Sequence, residues 1–139
     1  MTKKHRNAFT LIEVLIVVVI MAILAAVIIP QFTASTDDAK ESSTAFNAHV
    51  LRSQLELYKI HHGSYPADLN MLTIATDKDG NPGGQYGPYI DQIPVEPTTG
   101  SNGVNTAASK PAAPVAGDVG WVYIPTTGEI YPNTTEGLQ

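Results

Sequence analysis

The sequence predicts an α+β chain: a long N-terminal α-helical stalk, membrane-spanning in its first half, followed by a small antiparallel β-sheet head. Three observations predict it. Val14 to Ile29 is an unbroken run of sixteen apolar residues, VLIVVVIMAILAAVII. All eleven glycines and nine of the ten prolines lie from Gly63 onward, where they make up about 26% of the residues against roughly 12% in an average protein. Between these regions, apolar residues recur at the three-and-four spacing of an amphipathic helix. The whole-chain figures conceal this division: 139 residues, 43% apolar, mean hydropathy −0.01 and formal net charge −5. The length supports one small domain and not two full cores. Having no cysteine, the chain has no disulfide framework, thiolate metal site or thiol nucleophile. The acidic balance argues against a nucleic-acid partner, which needs clustered Lys and Arg.

The first element is a membrane segment. Residues 1 to 8, MTKKHRNA, carry Lys3, Lys4 and Arg6 and no acid, a basic flank that keeps the N-terminus in the cytoplasm. Ala8 to Ile29 is 22 residues, about 33 Å as a helix and enough to span a ~30 Å hydrocarbon core. The β-branched run Val17-Val18-Val19-Ile20 would suit a buried strand, but the length of the apolar stretch favours a helix. A cleaved secretory signal needs small residues after the run, and Phe32-Thr33-Ala34 meets that need poorly. A plain single-pass anchor accounts for the length and the basic flank, but not for Glu13. A charge at mid-bilayer costs about 2.5–3.5 kcal/mol on insertion scales. Either Glu13 lies shallow enough to reach headgroups or water, or carries a proton, or it awaits a positive partner in an assembled state.

Ala8-Phe9-Thr10-Leu11-Ile12-Glu13, after a short basic leader and before an unbroken apolar helix, resembles the signature of the type IV pilin and type II secretion pseudopilin family. The resemblance implies that a prepilin peptidase cuts between Ala8 and Phe9 on the cytoplasmic side, and that the new Phe9 amine is methylated. The family usually has Gly where this chain has Ala8. It also gives Glu13 a partner, the Phe9 amine of a neighbouring subunit in a filament. An α-amine has a pKa near 8 and is mostly cationic at neutral pH, and a charge pair in low dielectric offsets the desolvation of each group. Lys3, Lys4 and Arg6 leave with the leader, so the mature chain has five basic and thirteen acidic residues, net −8.

Beyond Pro30, the positions Phe46, Val50 and Leu57 and the positions Ala48, Leu51, Leu55 and Tyr58 form helical rows, while Thr36, Asp37, Asp38, Lys40 and Glu41 make a polar turn. Pro30 either ends the first helix, with Ser35 or Thr36 capping a second, or interrupts a continuous one by removing a bond and crowding the carbonyl of Ala26. The family resemblance implies one long helix kinked at Pro30. It divides the chain into a leader (1–8), a transmembrane and filament-core helix (9–29), an amphipathic helix continuing into the head (30–62) and a periplasmic head (63–139). A helix from Phe9 to His61 would be 53 residues, close to ~80 Å. Its first half then needs lipid or other copies of the chain to cover it, and Ala22, Ala25 and Ala26 supply a face for close helix packing. His61-His62-Gly63 ends the helix with cationic residues and a glycine stop. A metal site at the two histidines is disfavoured, because adjacent helical residues point about 100° apart.

In the head, Tyr65-Pro66-Ala67-Asp68-Leu69 opens a helical turn ending near Leu72, and Tyr89 to Ile93 reads as a strand. Asp77 to Gly84 is a turn cluster with a faint likeness to a calcium loop, but it lacks the bidentate Glu that would complete one. Residues 100 to 118 read as a long irregular loop. Trp121 to Ile124 and Glu129 to Tyr131 flank Pro125-Thr126-Thr127-Gly128 as a hairpin, with Trp121 and Tyr123 on the face that packs against the stalk. Tyr58-Lys59, Tyr65-Pro66, YIDQIP with Pro97, and GWVY…TTGEIY also resemble the major pseudopilin of type II secretion. In that family a C-terminal loop often binds calcium through Asp and backbone oxygens. Here no aspartate follows Asp118, so no cofactor is expected and calcium has weak support.

No catalytic constellation emerges. The serines of the head have no base candidate nearby, and no phosphate loop follows a strand. The expected function is that of a non-enzymatic pilin-like subunit, held in the inner membrane by a single pass with its N-terminus cytoplasmic and its head periplasmic. It would polymerise into a periplasmic filament that drives protein export. The resemblance implies as partners other copies of the chain, the prepilin peptidase, an assembly ATPase and a platform protein, and no nucleic acid. The alternatives are a type IV pilin for adhesion, motility or DNA uptake, and a single-pass periplasmic binding protein.

Overall fold

The computed structural model describes residues 9–139, apart from the side chains of residues 30–34. Helix α1 spans Leu11–His62, and the chain divides into two compact units between Asp38 and Ala39. In the first unit α1 is one apolar rod. Leu11–Ile29 is long and apolar enough to cross a membrane, and none of it is buried. The helix runs through Pro30 without a break, so the fresh helix with its own cap does not form. The kink expected at Pro30 concerns a side chain outside the described residues.

The second unit builds a core on residues 39–62 of α1. Ala48, Leu51, Leu55 and Tyr58 are buried, while Phe46 and Leu57 are 69% and 39% exposed. The two rows lie on nearly opposite sides of a 3.6-residue helix, and the head covers only one of them. Gly63 stops the helix at φ +81, its N–H closing on the Lys59 carbonyl at 2.7 Å. A short 3-10 turn, Leu69–Thr73, follows, capped by the Asp68 carboxylate accepting from the Asn70 N–H at 2.7 Å. Leu69 and Leu72 from this turn enter the core.

Three strands complete the head: β1 (Val104–Thr106), β2 (Trp121–Ile124) and β3 (Glu129–Pro132), in that spatial order. The β2–β3 hairpin is antiparallel, with Tyr123 opposite Ile130, as its turn chemistry indicated. Its turn requires glycine, because Gly128 has φ +75 and a Cβ there would collide with the Tyr65 ring. The sheet is mixed and not purely antiparallel, since β1 pairs with β2 in parallel, Val104 opposite Trp121. That pairing corrects the reading of 100–118 as wholly irregular. It is physically admissible because residues 107–120 make a connection longer than the dozen or so residues a parallel return needs.

The strand expected at Tyr89 to Ile93 is absent. The N–H groups of Tyr89 and Ile90 both donate to the Leu72 carbonyl, at 2.8 and 3.1 Å, which no ladder permits. Pro88 and Pro94 also remove the donors directly on either side of this segment. Trp121 is fully buried in the core beside Leu51 and Leu55, and its indole N–H donates to the Pro94 carbonyl at 2.7 Å. The Tyr123 hydroxyl donates to the Pro66 carbonyl at 2.7 Å, so its apolar ring is buried without orphaning its polar tip.

Candidate functional site

The start of α1 is organised by Thr10 and Glu13. The Thr10 N–H and the Thr10 hydroxyl both donate to Glu13 Oε2 at 2.8 Å, and the Glu13 N–H donates back to Thr10 Oγ1 at 3.3 Å. This is the reciprocal capping box of a T-x-x-E start. It satisfies donors that the first turn of any helix leaves without intrahelical partners. It also sets a carboxylate at the positive end of the helix dipole, an arrangement worth about 0.3–1 kcal/mol at a surface. Sequence reasoning missed this role. Thr10 three residues before Glu13 was signal enough, but Glu13 was weighed only as a charge within an apolar run.

The predicted site residues fare unequally. Phe9 directly precedes the cap and is 82% exposed. Glu13 is exposed as well, its capping bonds all falling on one carboxylate oxygen. Ala8, and with it the expected cleavage point, lies outside the described residues, as does the Pro30 side chain. Within one chain the structure brings Glu13 to Thr10.

At the other end of α1, His61 and His62 serve a polar and aromatic cluster. His61 Nδ1 and the Tyr89 hydroxyl are 2.9 Å apart. His62 Nδ1 lies 2.9 Å from the Tyr58 carbonyl, to which it donates, and His62 Nε2 lies 2.9 Å from the Thr76 hydroxyl. The His62 ring stacks on Tyr58 at 3.9 Å between centroids. Both His62 nitrogens are thus engaged, and no group of three or more His, Cys, Asp or Glu suited to a metal occurs among the described residues. The turn at Asp77 is equally self-contained. Its carboxylate accepts from the N–H groups of Asp79 and Asn81, both at 2.9 Å, and from the Asn81 amide at 3.0 Å. The Asn81 donors in particular hold the Asp77 carboxyl below its ordinary value.

Ser53 Oγ and His49 Nδ1 lie 3.4 Å apart in the stalk. The Ser53 hydroxyl already donates to the His49 carbonyl at 3.0 Å, a common local bond within a helix. A nucleophile–base pair needs the opposite polarity and a third group to orient the base.

Glu96 is fully buried. Its Oε1 accepts from the Thr44 hydroxyl at 2.7 Å and the Thr98 N–H at 3.0 Å, and its Oε2 from the Thr99 N–H at 2.6 Å. Burial raises this carboxyl, but the Thr98 and Thr99 N–H groups and the Thr44 hydroxyl outweigh it, leaving the group below its ordinary value. The carboxylate therefore ties α1 to the 94–101 loop. Sequence reasoning passed over Glu96, and nothing local to it marks a buried carboxylate, because Thr44 lies 52 residues away.

Comparison with known proteins places these features in context. Residues 3–29 match the prokaryotic N-terminal methylation motif, and residues 31–108 match the type II secretion system protein G family. The chain is 33% identical over 101 residues to type II secretion system core protein G of Pseudomonas aeruginosa, covering 70% of this chain and 71% of that one. It is 30% identical over 104 residues to the core protein G of Klebsiella michiganensis, covering 72% and 73%. Against the type IV major pilin protein PilE of Neisseria gonorrhoeae it is 33% identical over 102 residues, covering 73% of this chain and 55% of the pilin. No solved structure matches the chain at a significant level.

Proposed function

The chain belongs to the type II secretion system protein G family, and from that premise we propose that it is a structural subunit that polymerises into a periplasmic filament driving protein export. The observation that carries this reading is the unburied apolar rod Leu11–Ile29, which begins directly after the Thr10 cap and continues as the same helix that contributes to the head's core. An uncovered rod of this kind is stable only in lipid or against other copies of itself. A single helix offers both environments in turn, lipid before assembly and neighbouring helices after it.

On this reading the inner membrane holds the chain with residues 1–8 in the cytoplasm and the head in the periplasm. A prepilin peptidase cuts between Ala8 and Phe9, and the Phe9 amine is methylated. That amine then meets Glu13 of a neighbouring subunit, and the pairing sets the register of the growing filament. An assembly ATPase and a platform protein supply the force. The chain performs no chemistry of its own and is instead an enzyme's substrate.

The similarity to the Neisseria pilin favours a second reading within the same architecture, a surface pilus. A deletion strain, compared with the same strain complemented with the wild-type gene, separates the two. Loss of secreted exoproteins with surface pili unaffected supports the export filament. Loss of pili with secretion intact supports the pilus. No effect on either overturns both.

A further inference from the structure

The loop 107–120 that joins β1 to β2 has no helix or strand of its own, so the backbone groups it shields from water need partners outside a regular ladder. Asn133, directly after β3, supplies them. Its Nδ2 donates to the Val115 carbonyl at 2.9 Å and to the Val119 carbonyl at 3.0 Å, and its Oδ1 accepts from the Val115 N–H at 2.7 Å. The Asn133 backbone N–H donates to the Gly120 carbonyl at 2.8 Å. The residue is only 5% exposed. The orientation of the amide follows from the network, because the Val115 N–H can be met only by the oxygen and the two carbonyls only by the nitrogen.

In the major pseudopilins of type II secretion that this head resembles, a C-terminal loop often holds calcium through Asp and backbone oxygens, and the residues here do not fit such an ion. Calcium takes six to eight oxygen ligands, carboxylates prominent among them. Asp118 is the only acid in the loop, it is exposed, and no group of three or more acidic or other metal-binding side chains exists among the described residues. At the point where the Val115 and Val119 carbonyls converge, a cation would have two ready ligands. That point is filled by the Asn133 –NH2 group, a hydrogen-bond donor.

We propose that the Asn133 carboxamide is a covalently built substitute for a bound cation, latching the 107–120 loop so that the head is stable without calcium. The test is thermal unfolding of the full mature chain in detergent micelles, followed by the fluorescence of Trp121, the single tryptophan. In excess EDTA and in excess calcium the wild-type midpoints agree to within about 1 °C, since only a ligand that binds the folded state shifts them. Asn133→Ala, and Asn133→Asp with an oxygen where the donor was, each lower the midpoint by about 5 °C or more in EDTA, because partly buried loop groups lose their partners. In both variants the 107–120 loop also becomes open to thermolysin. A calcium-induced rise in the wild-type midpoint, saturable calcium uptake by calorimetry, or variants with an unchanged midpoint would each overturn the proposal. If neither variant folds, the wild-type comparison still decides it.

Discussion

The Glu13 carboxylate accepts two hydrogen bonds from Thr10 and is still exposed, so capping its own helix and the proposed pairing with a neighbour's amine are separable duties. Glutamine also completes a capping box but carries no charge. Glu13→Gln subunits are therefore expected to insert and be processed normally yet to be lost from filaments. Glu13→Ala subunits lose both duties, including roughly 1 kcal/mol of helix capping. Cross-linking of assembled subunits measures this, and Glu13→Gln entering filaments at the wild-type rate would leave capping as the residue's only role. Glu96 makes a second prediction at this scale. Its carboxyl is depressed below the ordinary value near 4.3, so its contribution is complete above that pH and is lost as the pH falls through the lower folded value. Glu96→Gln is expected to cost about 1.5–3 kcal/mol at neutral pH, and the gap from wild type should shrink in acid. Urea unfolding at the two pH values checks both the size and the sign.

Among the elements, α1 shows how far sequence periodicity reaches. The spacing of Ala48, Leu51, Leu55 and Tyr58 marks the face that became the core, but Phe46, Val50 and Leu57 have the same spacing, and only the head's position decides between the rows. Leu55→Ala is expected to destabilise by about 2–5 kcal/mol, whereas Phe46→Ala should change the stability of the isolated subunit by less than about 0.5 kcal/mol. Denaturant midpoints of the two variants test that contrast. The hairpin was legible because its turn residues and alternation are local, and so was the Asp68-capped 3-10 turn. β1 was not, since three residues of Val-Asn-Thr acquire strand character only through β2, which follows fourteen residues later. The false strand at Tyr89 to Ile93 had the right composition, but its N–H groups go to Leu72. The buried Glu96 and the Asn133 latch were invisible for the same reason, as each depends on partners distant in sequence.

For the whole molecule, the sequence separates into an apolar rod and a turn-rich head, and the structure gives each a different physical fate. The head buries its core with no buried side-chain polar atom left unpaired among the described residues, as a folded domain must. No residue of the rod Leu11–Ile29 is buried, so this chain reaches a fully covered state only in lipid or in assembly. On the proposed reading, removal of the basic leader marks the passage between those states. The most direct test is therefore the intact mass of the chain recovered from the membrane fraction of the native host. The account expects a 131-residue species, residues 9–139 of the sequence, beginning at a methylated Phe9. A chain that keeps residues 1–8, or one cut after the apolar run, would contradict it.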